Sequence, residues 1–330
     1  MKKIKGWLLV GVVGLIVVMA VINLRSKKVT PQKETEEREA RPTVEVVEEG
    51  VDPFPIKLAR PERLVWQIGE KTDWPEKVKG LEITPKAIGQ EEIVSFLGLV
   101  GMKTEQKVSE NGELVVFEEG KKRSAYVDRN SMVLGFVENI TSREQLKGEG
   151  EGSLLEGERV IKELAKKIGG MEVRVVAREN KKLLYPRWVA AKPEEAEATE
   201  IRAVYVVDGY PLFSFTGELI KATITAKGRI LKLEIGLGKK VETKEEVGVL
   251  GVEEIETLGV DKVWVWKKEG TLGFEGSDFE EKVSLVNVTE IEAVYIENGK
   301  GKAGIYLLGK GNGIIGKQPA KITIIVPIGR

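Results

Sequence analysis

Residues 7–24, WLLVGVVGLIVVMAVINL, open on Trp7, close on Leu24 and carry no charged side chain. As a helix such a run is about 27 Å long, close to the hydrocarbon core of a bilayer. We expect a single transmembrane anchor there, so the chain beyond residue 24 must build its cores from its own side chains. The rival is a cleaved signal peptide. Lys2, Lys3 and Lys5 form a basic leader, and Val18-Met19-Ala20 resembles a small-residue cleavage site. The apolar run nevertheless continues to Leu24, longer than an ordinary signal-peptide core. Arg25, Lys27 and Lys28 follow the run, so flanking charge does not fix its orientation. A short basic leader before a span favours an internal N-terminus, with the bulk of the chain outside.

The charge balance excludes one class of partner. Lys+Arg and Asp+Glu number 52 each, whereas a nucleic-acid footprint needs a basic excess on one face. The segment 25–52 is charged, holds Pro31 and Pro42 and lacks aromatics, which marks a flexible stalk rather than a core.

Beyond the stalk, helix signals alternate with strand-like stretches. Thr84-Pro85 suits a helix start, with Ile93, Phe96, Leu97 and Val100 on one face. Ser153-Leu154-Leu155-Glu156 is a capping box, followed by an apolar stripe at Val160, Ile161, Leu164 and Ile168 and a Gly169-Gly170 stop. Thr243 with Glu246 resembles a third cap, interrupted by Gly248 and Gly251. Between them, Leu114–Phe117, Ser124–Val127 and Met132–Phe136 read as short antiparallel strands. Asp208-Gly209 and Lys227-Gly228 are hairpin turns. The expected class is α+β: an N-terminal transmembrane helix, then two or three helix-plus-antiparallel-sheet modules. The boundaries are an anchor at 1–24, a stalk at 25–52, a first module at 53–147, a second at 153–240 and a β-rich third at 241–330. Gly148, Gly150 and Gly152 mark a hinge between the first two.

Much chemistry is missing from the outset. The chain has no histidine and no cysteine, which removes Ser-His-Asp and Cys-His catalysis, thiolate chemistry and every His- or Cys-based metal site. No serine is followed by lysine at the third position, so the S-x-x-K acylase pattern is missing too. Carboxylates remain. Asp128 and Asp208 are the most localised acids, and a pair could hydrolyse a glycosidic bond if suitably spaced. Both sit beside turn residues, where an aspartate usually satisfies local backbone groups. The run Gly311-Asn312-Gly313-Ile314-Ile315-Gly316-Lys317 fits G-x-G-x-x-G, but Pro319 and a strand-like stretch follow instead of a helix. It reads as a glycine-rich hairpin loop, not a phosphate cradle. Trp264 and Trp266 share one strand face and are expected to be core rather than an exposed platform. No catalytic, cofactor-binding or metal-binding residue is assigned.

The stretch Ala203-Val204-Tyr205-Val206-Val207-Asp208-Gly209-Tyr210-Pro211-Leu212-Phe213, the hairpin Ala222–Leu231 and the Pro186-Arg187-Trp188 strand resemble the extracytoplasmic PepSY-like and YycI-type domains of single-pass bacterial envelope proteins. Val288–Tyr295 and Ile322–Pro327 are similar to them as well. The resemblance implies repeated helix-and-sheet units and a non-enzymatic role, in some relatives the restraint of a sensor kinase or peptidase. The expected protein is thus a non-enzymatic, single-pass, extracytoplasmic membrane protein that binds or regulates an envelope partner, without a cofactor. A structural assembly subunit, or a carboxylate-dependent glycan hydrolase, is the alternative.

Overall fold

The computed structural model describes residues 58–69, 74–84, 88–110, 112–140, 145–146, 152–185, 187–215, 217–236, 240–269, 282–297 and 302–330. The expected anchor, the stalk and nearly all of the glycine hinge lie outside them. Among the described residues no helix is long and apolar enough to cross a membrane.

The chain opens with β1 (Leu64–Trp66) and β2 (Lys77–Thr84), followed by α1 (Gln90–Leu99). A meander comes next: β3 (Lys107–Glu110), β4 (Leu114–Glu119), β5 (Arg123–Asp128) and β6 (Val133–Glu138). The helix α2 (Leu154–Gly169) leads into β7 (Glu172–Leu184), β8 (Arg187–Ala190), β9 (Ala198–Val207), β10 (Tyr210–Ser214), β11 (Ile220–Thr225), β12 (Ile230–Gly236) and β13 (Lys240–Gly248). A one-turn helix α3 (Val252–Glu256) precedes β14 (Trp264–Glu269), β15 (Val283–Glu297), β16 (Lys302–Ile315) and β17 (Gln318–Pro327).

This corrects the expected fold class. About 57% of the described residues are strand and 18% helical, so the molecule is mainly β rather than α+β. The strands also do not close into separate modules. They form one hydrogen-bonded sheet, in which β6 pairs with β12, β2 with β13, and β10 with β15. The sheet is mixed, because β1 and β10 both run parallel to β15. The physical reason is the cost of an open edge: unpaired N–H and C=O groups on β6, β12 and β15 find partners only in strands distant in sequence.

Local signals fared unevenly. Around α2 half of the capping box is present: the Ser153 hydroxyl accepts from the Glu156 N–H at 3.2 Å, but the Glu156 carboxylate is taken by Arg159; Gly170 closes the helix at φ 68°. Its buried stripe is Ile161, Leu164, Ala165 and Ile168. In α1 the face Ile93, Phe96 and Leu97 is buried as expected, but the helix starts after Gly89, and Thr84 is the last residue of β2. The third cap is not one. Thr243 and Glu246 lie in β13, paired with Leu81 and Lys79 across a bulge; the third helix is α3, with only Ile255 buried.

Both helices α1 and α2 pack into the larger core with Phe117, Phe136, Leu233, Ile224 and Tyr205 from one face of the antiparallel strands. A second cluster lies elsewhere: Val204 and Phe213 of β9 and β10 join Trp264, Trp266, Val294 and Tyr306 of the C-terminal strands, with Val176 of β7 against them. The sheet therefore buries apolar side chains on both faces where β9, β10 and β15 meet.

Candidate functional site

The acids singled out in the sequence are not brought together. Asp128 ends β5 and closes its own turn: one carboxylate oxygen accepts from the N–H groups of Asn130 and Ser131 at 2.9 and 3.1 Å, the other from the Ser131 hydroxyl at 2.5 Å. Asp208 sits at φ 49° beside Gly209 at φ 88° in the two-residue β9–β10 hairpin, with Lys79 Nζ at 3.4 Å. The strands β5, β6, β12, β11 and β9 are successive neighbours. Four steps of about 4.8 Å separate the strands that carry the two acids by about 19 Å across the sheet. A hydrolytic pair needs roughly 5–10 Å. Among the described residues, no cluster of three or more acidic side chains is placed to hold a metal.

The glycine-rich run is partly misplaced by sequence reasoning. Only Gly316, at φ 60°, and Lys317 form the turn; Gly311 and Gly313 lie inside β16. They are needed there for close approach, since a Cβ on Gly311 would meet the Asn287 carbonyl oxygen at 1.8 Å. Trp264 and Trp266 are buried, as expected. Trp266 packs edge-on against Phe213 with ring centres 5.3 Å apart and donates its indole N–H to the Phe215 carbonyl at 3.3 Å.

Two surfaces among the described residues are open to a ligand. The first is a groove of about 280 Å³ where β15 bulges after Val288. It is lined by Glu290, Ile291, Glu292, Leu308 and Lys310. Arg174, on β7, reaches Glu292 with a charge-assisted hydrogen bond. Glu290 and Lys310 are cross-strand partners and both exposed.

The second surface is the β7–β8 hairpin. Its tip exposes Leu184 and Tyr185, 53% and 67% accessible, which makes them two of the most open large apolar side chains among the described residues. The root below is held firmly. Lys182 pairs with Glu195, the Leu183 N–H donates to the Glu197 carboxylate at 2.7 Å, and Lys181 bridges Glu179 and Glu200 at 3.0 and 3.6 Å. Burial pushes the Glu200 carboxyl up, but the Arg202 hydrogen bond and the charges of Lys181, Arg202 and Lys232 together hold it below its ordinary value. The apolar tip is thus presented on a fixed base. The sequence carried a signal for it in Leu184-Tyr185-Pro186-Arg187-Trp188, but exposure could not be read from residue type alone.

No family model and no curated protein matches the chain. Among solved structures it is similar to an uncharacterized protein from Eubacterium rectale ATCC 33656, at 13% identity, over 80% of this chain and 88% of that one, with a TM-score of 0.46. It is also similar to the YpeB C-terminal domain of Bacillus megaterium, at 9% identity, over 72% and 99%, with a TM-score of 0.35. Neither the PepSY-like nor the YycI-type resemblance has a matching family model. Both scores lie under 0.5, too low to carry function from either neighbour.

Proposed function

We propose that this chain is a non-enzymatic protein, held at a membrane through its apolar residues 7–24, whose β-rich part faces outward and binds or regulates a protein partner in the envelope. The observation that carries the reading is the β7–β8 hairpin: exposed Leu184 and Tyr185 on a base fixed by ion pairs. Exposed aromatic and aliphatic side chains on a rigid element are what a protein interface uses as anchors. The side chains first suspected of chemistry, by contrast, are engaged in turns or buried in cores.

The test is a photo-crosslinker at position 185 in the full-length protein, activated in native membranes and read by mass spectrometry. Recurrent crosslinking to one envelope protein is the expected result. Crosslinks to further copies of this chain alone favour an assembly subunit instead. Turnover of a glycan or peptide by the purified chain refutes the non-enzymatic part.

A further inference from the structure

Among the described residues, β3, β13 and β8 each pair along one side alone, and they are not equivalent. The edge strand β3 is fully exposed but guarded by charge: Glu110 is held by Lys107 at 2.8 Å and by Arg129 at 3.2 Å. The edge strand β13 carries Glu242, Lys244, Glu245 and Glu246 and is broken by a bulge. Charges and bulges are the ordinary means by which sheet edges resist a further strand. The third, β8, has no bulge, and its one charged side chain is Arg187 at the first position. It reads Arg187-Trp188-Val189-Ala190, pairs regularly with β7 and continues into Ala191. At its tip stand the exposed Leu184 and Tyr185.

Its polarity is set by one contact. The Ala191 N–H donates to the Asn180 carbonyl at 2.8 Å, towards β7. Alternation along an antiparallel strand then turns the backbone groups of Trp188 and Ala190 away from β7. The charge beside this edge is basic: Arg187 and Lys192 are exposed and have no ion-pair partner among the described residues, against one such acid, Glu194. A second copy would bring the same basic side chains to this edge, whereas an acidic segment is complementary to them.

Resting on the binding role given above, we propose that β8 is an acceptor edge for an extended, acidic segment of another protein. The segment adds as a strand on the backbone groups of Trp188 and Ala190, packs apolar side chains on Leu184 and Tyr185, and sets its carboxylates against Arg187 and Lys192. The probes are two fluorescently labelled peptides, one alternating glutamate with valine and one alternating lysine with valine, titrated against the full chain in detergent. The acidic peptide should bind, and the basic one at least tenfold more weakly. Ala190→Pro removes an outward N–H without touching the β7–β8 ladder and should weaken binding tenfold or more; Arg187→Glu should narrow or reverse the charge preference. Tyr185→Ser, which spares the backbone, should weaken binding several-fold, and circular dichroism checks that each variant keeps its fold. No binding of the acidic peptide, or equal binding by folded Ala190→Pro, overturns the proposal. If that variant still crosslinks one envelope protein from position 185, the acceptor edge falls while the binding role stands. If no variant and no parent chain captures a partner, the binding role itself falls.

Discussion

Replacing Gly311 with alanine tests whether the glycines of β16 serve strand packing. The added Cβ would lie 1.8 Å from the Asn287 carbonyl oxygen, 2.8 Å from its carbon and 3.0 Å from the Val288 Cα. Ordinary contact begins near 3.4 Å, so relief needs a shift of about 1.6 Å, the difference of those two distances. All three atoms are backbone, in the strand that pairs Val288 with Gly311. They cannot swing away as a side chain can. A shift of that size breaks one or two ladder hydrogen bonds, each worth about 0.5–1.5 kcal/mol, and disturbs Val286 and Val288, both fully buried, at an overpacking cost of about 1–3 kcal/mol. We expect a loss of roughly 3 kcal/mol in urea unfolding, with an unchanged m-value. Gly135→Ala is the comparison. Its Cβ would strike the Tyr126 ring at 2.0 Å, but that ring can rotate outward, so about 1–2 kcal/mol is expected. Gly98→Ala, in α1 with no atom within 4 Å, should stabilise by about 0.5–1 kcal/mol. A Gly311→Ala cost below that of Gly135→Ala would refute the reasoning.

Arg229 clasps Glu138 with two hydrogen bonds and donates to the Gln145 carbonyl at 2.9 Å, with the Glu138 side chain 11% exposed. Glu138→Ala should therefore cost about 2–4 kcal/mol in the same assay, since it leaves a guanidinium half out of water without its partner. The Tyr126 phenol is pushed up to about 12 by burial and by the charges of Glu234 and Asp128. Ultraviolet difference titration of wild type against Tyr126→Phe should show this tyrosine ionising above pH 11, and its stabilising contribution is full below pH 10 and lost as pH rises through 12. Glu200 runs the other way. Its folded value is lowered, so its contribution is present above the unfolded carboxylate range near about pH 4.3 and fades as pH falls. Thermal unfolding of Glu200→Gln should thus differ most from wild type at neutral pH and converge with it in acid.

What could be read from residues alone is what near neighbours decide. The Ser153 hydroxyl reaches an N–H three residues on, Gly170 closes the same helix, Asp128 bonds within its own turn and Asp208-Gly209 makes a two-residue hairpin. Each involves groups a few positions apart, so composition and spacing suffice. The same holds for Leu114–Phe117, Ser124–Val127 and Met132–Phe136, whose alternation and turns describe β4, β5 and β6. Thr243 and Glu246 looked like a cap because a capping box and a charged edge strand share residue types; pairing with β2, far back in the chain, decided for the strand. Gly311 looked like a loop because a glycine needed for flexibility and one needed for close approach are identical in sequence. The merging of expected modules into one mixed sheet, the parallel docking of β1 and β10 on β15, and the free side of β8 likewise depend on contacts between distant segments. Backbone hydrogen bonds carry no residue code, so which strand edges meet is fixed only when burial on both faces of the folded sheet selects the register.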